Sequence, residues 1–449
     1  MVNAKPMDWS SIQDQVTDVL GNLVRFNTSN PPGNETPAAE YLAGILRREG
    51  LQPEVVESAP GRGSVIARVR GSGAAPPLIL LSHLDVVPAE VDKWKHDPFG
   101  GDIVDGYVWG RGTVDCKGLT AIELMALLSL VRQNVPLKRD IIFAATADEE
   151  TGGAAGPGWI IANRPALLDG AWCINEGGGD AFSLAGKTVF TCQTAEKGSS
   201  GFKVIARGPA GHASVPLPDN SVILLSRAMQ RLGEASLPLH STSTMLRCLG
   251  QIASLLGGDL SVDALLRLAD DRTALAGVLG SRPLANTVYA MLHNTLSPTM
   301  LKAGERLNVI PSVAEGWIDG RILPGQNQES FRAEILGALG DLPVEIEFLR
   351  KPALALESPP EGELFDTICE VIAAHEPAAP VVPILLTGGT DAKHLAPAGV
   401  RVYGFWPMRE DPQARLMEMA HNHDERISLA NLRFGVHVLY HVIKQFCAA

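Results

Sequence analysis

Apolar positions in this chain recur with different spacings along its length, and each spacing predicts a different kind of element. Between Trp9 and Arg25, Ile12, Val16, Val19, Leu20 and Leu23 fall at helical spacing, which predicts an amphipathic helix. A second helix is predicted through Ala38 to Glu49, with Gly50 where a C-terminal cap belongs, after a turn at Asn27–Asn34 that holds Pro31-Pro32-Gly33. Short apolar runs at 78–81, 141–145 and 171–174 then alternate with helical stretches up to about Phe190. That alternation predicts a doubly wound α/β layer structure.

The pattern changes after that point. Phe202–Arg207, Ala314–Ile322 and Val344–Phe348 alternate apolar and polar residues, as half-exposed strands do. Asp219–Leu232 and Ile252–Leu279 between them have helical character. This is the composition of an α+β domain inserted into the first. The helix expected at Gly362–Ala374 and the apolar run Val400–Phe405 return to the α/β style. The expected division is a catalytic domain in two parts, 1–190 and 356–449, with an inserted lid domain at 191–355.

Composition narrows the function classes. Hydrophobic residues at 45% and charged residues at 20% are ordinary for a soluble chain of 449 residues. A formal net charge of -12 gives no electrostatic support for a nucleic-acid role. The cysteines (Cys116, Cys173, Cys192, Cys248, Cys369 and Cys447) form no CxxC pair, which points to reduced thiols in a cytoplasmic protein. Asp8, Asp14 and Asp18 without an apolar core segment do not make a signal peptide, and the apolar stretch Ala121–Val131 is too short to span a bilayer. No membrane association is expected.

The candidate chemistry sits just after the apolar runs. Ser82-His83-Leu84-Asp85 follows the first, Asp148-Glu149-Glu150 the second, and Asn175-Glu176-Gly177 the third. Gly110-Arg111-Gly112-Thr113-Val114-Asp115-Cys116-Lys117-Gly118 lies between the first two, and His421-Asn422-His423-Asp424-Glu425 near the C-terminus. Ligands collect beyond the carboxyl ends of parallel strands, so these five segments can meet at one sheet edge. Imidazoles and carboxylates together suit zinc, and two ions need a carboxylate shared between them.

In this order, the five segments resemble the metal-dependent amidohydrolases of peptidase family M20: aminoacylases, acetylornithine deacetylases, succinyl-diaminopimelate desuccinylases and glutamate carboxypeptidases. The resemblance spans essentially the whole chain. It implies two Zn2+ ions (Co2+ or Mn2+ as substitutes), with His83 and Glu176 on one, Glu150 and His421 on the other, and Asp115 bridging. It implies that Asp85 orients His83 and that Glu149 is the general base. His421 fits the family spacing to Asp424 and Glu425, while His423 occupies a variable place. In the inserted segment, Gly208–Ser214 resembles the family's lid-histidine motif, making His212 an oxyanion donor. Asn308 matches a residue that contacts the transition state.

Arg321 matches a grip on the substrate carboxylate, with an ion pair to Asp319 or Glu315 as the other reading. Gly389, in Thr387–Asp391, belongs either to a substrate-facing loop or to an ordinary turn. Cys116 is either a soft extra ligand or a buried spectator. The resemblance also implies a homodimer through the lid, although the Leu-rich segment 232–302 departs from the pattern.

The implied reaction is hydrolysis of an amide bond next to a free carboxylate. Its substrates are small molecules: N-acyl amino acids or short peptides in an aminoacylase or carboxypeptidase manner, with dipeptidase and desuccinylase action as alternatives. A non-catalytic metal-binding scaffold would be marked by loss of Glu149 or a ligand, and none is lost. A dimetal phosphoesterase is disfavoured by the Gly-His-Ala-Ser segment and Arg321.

Overall fold

The structure is a computed structural model that describes residues 7–351, 353–414 and 416–449. It divides into two compact units. The first comprises the chain through Thr194, Ser358–Ile384 and Thr390–Ala449, and the second Ala195–Glu357 with Leu385–Gly389.

Four parallel strands form the centre of the first unit, in the order Ile141–Thr146, Leu78–His83, Trp172–Asn175, Arg401–Gly404. Antiparallel strands extend the sheet on both sides, Gly63–Val69 and Glu54–Glu57 at one end and Lys187–Glu196 at the other. The strands Leu78–His83 and Ile141–Thr146 consist wholly of buried residues, which is why they begin as uninterrupted apolar runs rather than alternating ones. The helix Lys117–Arg132 is buried on nearly every side, because the strand Leu78–His83 and the helices Trp9–Arg25 and Leu429–Cys447 all pack on it. Trp9–Arg25 starts at Asp8, whose side chain accepts from the Ser10 and Ser11 amides.

Phe143 is fully buried at the middle of the sheet. Truncating it to alanine should cost about 3–5 kcal/mol, since the cavity cannot collapse between a sheet and its helices. The midpoint of urea unfolding measures this; a cost below about 1 kcal/mol would show the strand to be less tightly packed than described.

The second unit is an antiparallel sheet in the order Gly198–Ser199, Val313–Ile322, Phe202–Arg207, Val344–Phe348, with Thr295–Ala303 also paired to Val313–Ile322. Its core joins Phe202, Val204, Ile318 and Ile322 to Leu225 and Leu232 of the helix Ser221–Glu234 and Phe331 and Ile335 of the helix Gln328–Leu339. The Lys197 amide donates to the Leu386 carbonyl, tying Leu385–Gly389 to this unit. The stretch expected as helical over 252–279 belongs to a series of four helices, Ser243–Leu256, Val262–Leu268, Arg272–Leu279 and Arg282–Leu292, each opened by a Thr, Ser or Asp cap.

Among the described residues, no helix is long and apolar enough to cross a membrane. The six cysteines are free thiols, five of them buried.

Candidate active site

The parallel pairing of Ile141–Thr146, Leu78–His83 and Trp172–Asn175 puts their carboxyl ends on one edge of the first unit's sheet. His83 is the last residue of its strand, Glu149 and Glu150 form a single helical turn after theirs, and Glu176 follows Asn175. Asp115 arrives on the loop before the helix Lys117–Arg132, and His421 on the segment before the strand Arg426–Ser428. Asp148 and His421 hold left-handed backbone, φ +78° and +61°, a conformation that non-glycine residues adopt rarely and often at functional sites.

Asp115 lies at the centre of the cluster. Its Oδ1 is 3.0 Å from His83 Nε2, and its Oδ2 is 3.0 Å from His421 Nε2. Each Nε2 has one further carboxylate: Glu176 Oε2 at 3.7 Å from His83 Nε2, and Glu150 Oε2 at 3.1 Å from His421 Nε2. The set is therefore symmetric, with one carboxylate shared and one carboxylate and one imidazole on either side. Burial pushes Asp115 up, but hydrogen bonds from His421 and His83 outweigh it and hold the carboxyl well below its usual range. Bonds to Asp115 and Glu150 raise His421 to about 10. Both directions reflect a site that favours positive charge.

His423 turns away. Its Nε2 is 3.4 Å from Glu90, so of the two candidates only His421 joins the cluster. The Cys116 sulfur lies 3.2 Å from the His83 amide nitrogen, and its ligand atom falls within 4.8 Å of those of His83 and Glu176. Burial pushes that thiol far up.

Glu149 is the carboxylate of the cluster without an imidazole. Burial, then the charges of Glu176 and Asp391, raise it well above the ordinary carboxylate range, and Lys393 Nζ at 3.5 Å from its Oε1 pulls the other way. A carboxyl raised in this way accepts a proton readily.

Asp85 does more than hold His83. The ring Nδ1 is 3.0 Å from the Asp85 carbonyl and 3.5 Å from its carboxylate, so the backbone is the nearer partner. The carboxylate itself accepts from the amides of Glu149 (3.0 Å) and Glu150 (3.1 Å) and from the Asn30 side chain (2.8 Å). Asp85 thus fixes the turn that aims two acidic residues.

Glu425 fixes the opposite loop. Fully buried, it accepts from the backbone amides of Gly112, Val114 and Asp115 at 2.7–3.1 Å and pairs with Arg111 at 2.6 Å. Sequence reasoning placed Glu425 in a motif without a role, and missed Asn30 and Lys393. Nothing in a Pro-rich turn, or in a lysine after Thr390-Asp391-Ala392, signals such contacts.

The remaining candidates belong to the second unit. His212 and Asn308 are neighbours there: Gly211–His212 pairs with Val309–Ile310, and the Ala213 amide donates to the Asn308 carbonyl. His212 is exposed, with Nδ1 2.7 Å from Ser214 Oγ. Arg321 makes a two-point ion pair with Asp319, at 2.8 and 3.1 Å. Beside it lies Lys197, buried, with Nζ 3.0 Å from Thr295 Oγ1; burial and then the Arg321 charge lower it to about 7. Gly389 approaches the Lys197 carbonyl, 3.7 Å from where a Cβ would sit.

A parallel sheet edge carrying this cluster, with an α+β domain inserted in the chain, defines a hydrolytic enzyme of the metallopeptidase class. The chain belongs to peptidase family M20/M25/M40, whose family model matches residues 79–445. It is 27% identical to the mouse (Mus musculus) N-fatty-acyl-amino acid synthase/hydrolase PM20D1, over 96% of this chain and 87% of that protein. It is 28% identical to a probable carboxypeptidase S-like 2 of Dictyostelium discoideum, over 82% of this chain and 71% of that protein. The fold is shared with the M20 family metallo-carboxypeptidase Sso-CP2 from Sulfolobus solfataricus, at TM-score 0.71 and 17% identity over 96% of this chain and 99% of that one.

Proposed function

We propose that this chain is a two-zinc hydrolase that cleaves the amide bond of N-acyl amino acids, with short peptides as the second substrate class. The observation that carries the reading is the shared carboxylate. Asp115 turns one oxygen to each of two imidazoles, and each imidazole has its own outer carboxylate, Glu176 or Glu150. This donor set suits two hard-to-borderline divalent ions. His83 and Glu176 would hold one, Glu150 and His421 the other, and Asp115 both. The relative PM20D1, similar over nearly the full chain, supports the acyl-amino-acid class.

Divalent ions held there would polarise the scissile carbonyl and acidify the attacking water. The residues of the chain do the rest. Glu149 takes a proton from the water as its oxygen bonds to the carbonyl carbon, then delivers that proton to the nitrogen as the C–N bond breaks. The products are a carboxylic acid and an amine. Asp85 holds Glu149 and Glu150 in place through their amides. His212 is assigned to the oxyanion and Asn308 to the transition state. Arg321, with Gly389 beside Lys197, is assigned to the substrate carboxylate, a role in which Arg321 exchanges Asp319 for substrate. The exposed edge strand Thr295–Ala303, with Met300 and Leu301 59% and 67% exposed, supports a homodimer through the second unit. Free thiols suit the cytoplasm.

Amine release from N-acetyl amino acids, long-chain N-acyl amino acids and dipeptides, with zinc supplied, tests the reading. Cleavage of acyl amino acids is expected, fastest in the long-chain group. Cleavage confined to dipeptides would replace the substrate class, and silence across the zinc-loaded panel would overturn both substrate classes.

A further inference from the structure

The helix Glu363–His375 ends on a histidine, and that residue meets two more on the C-terminal helix Leu429–Cys447. His437 and His441 are four residues apart, hence on one face of their helix. The three imidazoles form a nearly equilateral triangle. Their ring centroids are 4.8 Å (His375–His437), 4.9 Å (His437–His441) and 5.0 Å (His375–His441) apart. One nitrogen from each falls within 4.8 Å of the other two.

We propose that His375, His437 and His441 form a second divalent-metal site, taking one zinc-like transition ion on three imidazoles and fastening the two helices together. The geometry is close to what such an ion requires. Nitrogens at about 2.0–2.1 Å from a tetrahedral zinc lie about 3.3 Å from one another. His375 Nε2 and His441 Nδ1 are 3.2 Å apart. His437 completes the set by a side-chain adjustment of about an ångström or two, a rotamer-scale movement. All three rings are half-buried, so an ion can enter from solvent and keep a water in its fourth position. Three neutral imidazoles with an open place suit zinc, nickel or copper rather than magnesium or calcium.

Burial, more than charge, keeps the cluster in the neutral ligand form. Burial comes first for each ring and holds all three below the ordinary imidazole range, His437 at about 4. The nearby charges of Arg409, Arg433 and Lys444 resist positive charge at the cluster, that of an ion included, and Glu376 offsets part of this cost. Arg409 is already paired with Glu376 at 2.6 Å. Trp9, whose ring is 4.0 Å from that of His437, covers one side. His441 Nδ1 is also 2.8 Å from the His437 carbonyl, so ion uptake exchanges that hydrogen bond for a coordinate bond, the neutral ring carrying its proton on Nε2 instead.

The site makes no use of the first cluster, and a difference in ion count between variants tests it whatever the number bound there. Zinc is titrated by calorimetry into the metal-stripped full chain and into its His437→Gln and His375→Asn variants, with circular dichroism to verify the fold. The wild type should bind one more ion per chain than either variant, and amide hydrolysis should stay within about two-fold in all three. Should His437→Gln not fold, His375→Asn, at a helix end, decides alone. Equal stoichiometry in the wild type and a folded variant would overturn the site and leave the three rings as a packed aromatic cluster.

Discussion

Glu149→Gln should retain the metal and the fold yet lower kcat by about 10²–10⁴, the range typical of a removed general acid-base group. The expectation rests on position and chemistry together. Glu149 sits beside Glu150, its amide is held by Asp85, and it is the one carboxylate of the cluster that touches neither imidazole. Burial and the neighbouring charges of Glu176 and Asp391 raise its proton affinity, and Lys393 moderates the rise. Glutamine keeps the volume and the turn but cannot accept the proton. Metal content by elemental analysis and kcat on the best substrate separate the two effects. Full turnover in the variant would remove Glu149 as the base.

The second large effect should come from Glu425, which touches no candidate ligand side chain. Glu425→Ala strands the buried Arg111 guanidinium and leaves the amides of Gly112, Val114 and Asp115 without their acceptor. Breaking one side of a buried ion pair costs about 3–5 kcal/mol. Burial raises the Glu425 carboxyl, while Arg111 and the loop amides pull it down. What the pair supplies is the position of the loop that carries Asp115. Chemical unfolding should therefore show the loss, and zinc affinity should fall with it. A variant with wild-type stability and affinity would show that the loop holds its shape without Glu425.

Much of the fold was legible because burial is written directly into the apolar pattern. Trp9–Arg25 is found where its helical stripe predicts it, and the runs before His83, Asp148 and Glu176 are strands. Parallel pairing then does what spacing alone cannot, bringing residues nearly a hundred positions apart to one edge. The second unit was harder. Thr295–Ala303 is almost wholly exposed, contains Pro298 and carries a register shift at Pro298/Met300, so no period-two signal marks it as a strand. The helical character of 252–279 was legible, but its breaks at 257–261 and 269–271 were not, because helical period survives across them.

At the site, residue types with chemistry were visible and their supports were not. Asn30 in a proline turn, the carbonyl of Asp85, and Lys393 act through contacts that only the tertiary fold creates. Arg321 remained divided between two readings in the sequence, and its pairing with Asp319 shows how near they are: the guanidinium that would grip a substrate already grips a carboxylate.

The most direct test of the account is turnover of an N-acyl amino acid by the metal-stripped chain as zinc is added back, performed on the His437→Gln background so that the three-histidine cluster does not compete. No turnover is expected without metal, and full recovery is expected by two equivalents of zinc per chain. Full turnover in the stripped enzyme, or recovery complete at a single equivalent, would contradict a two-zinc centre bridged by Asp115.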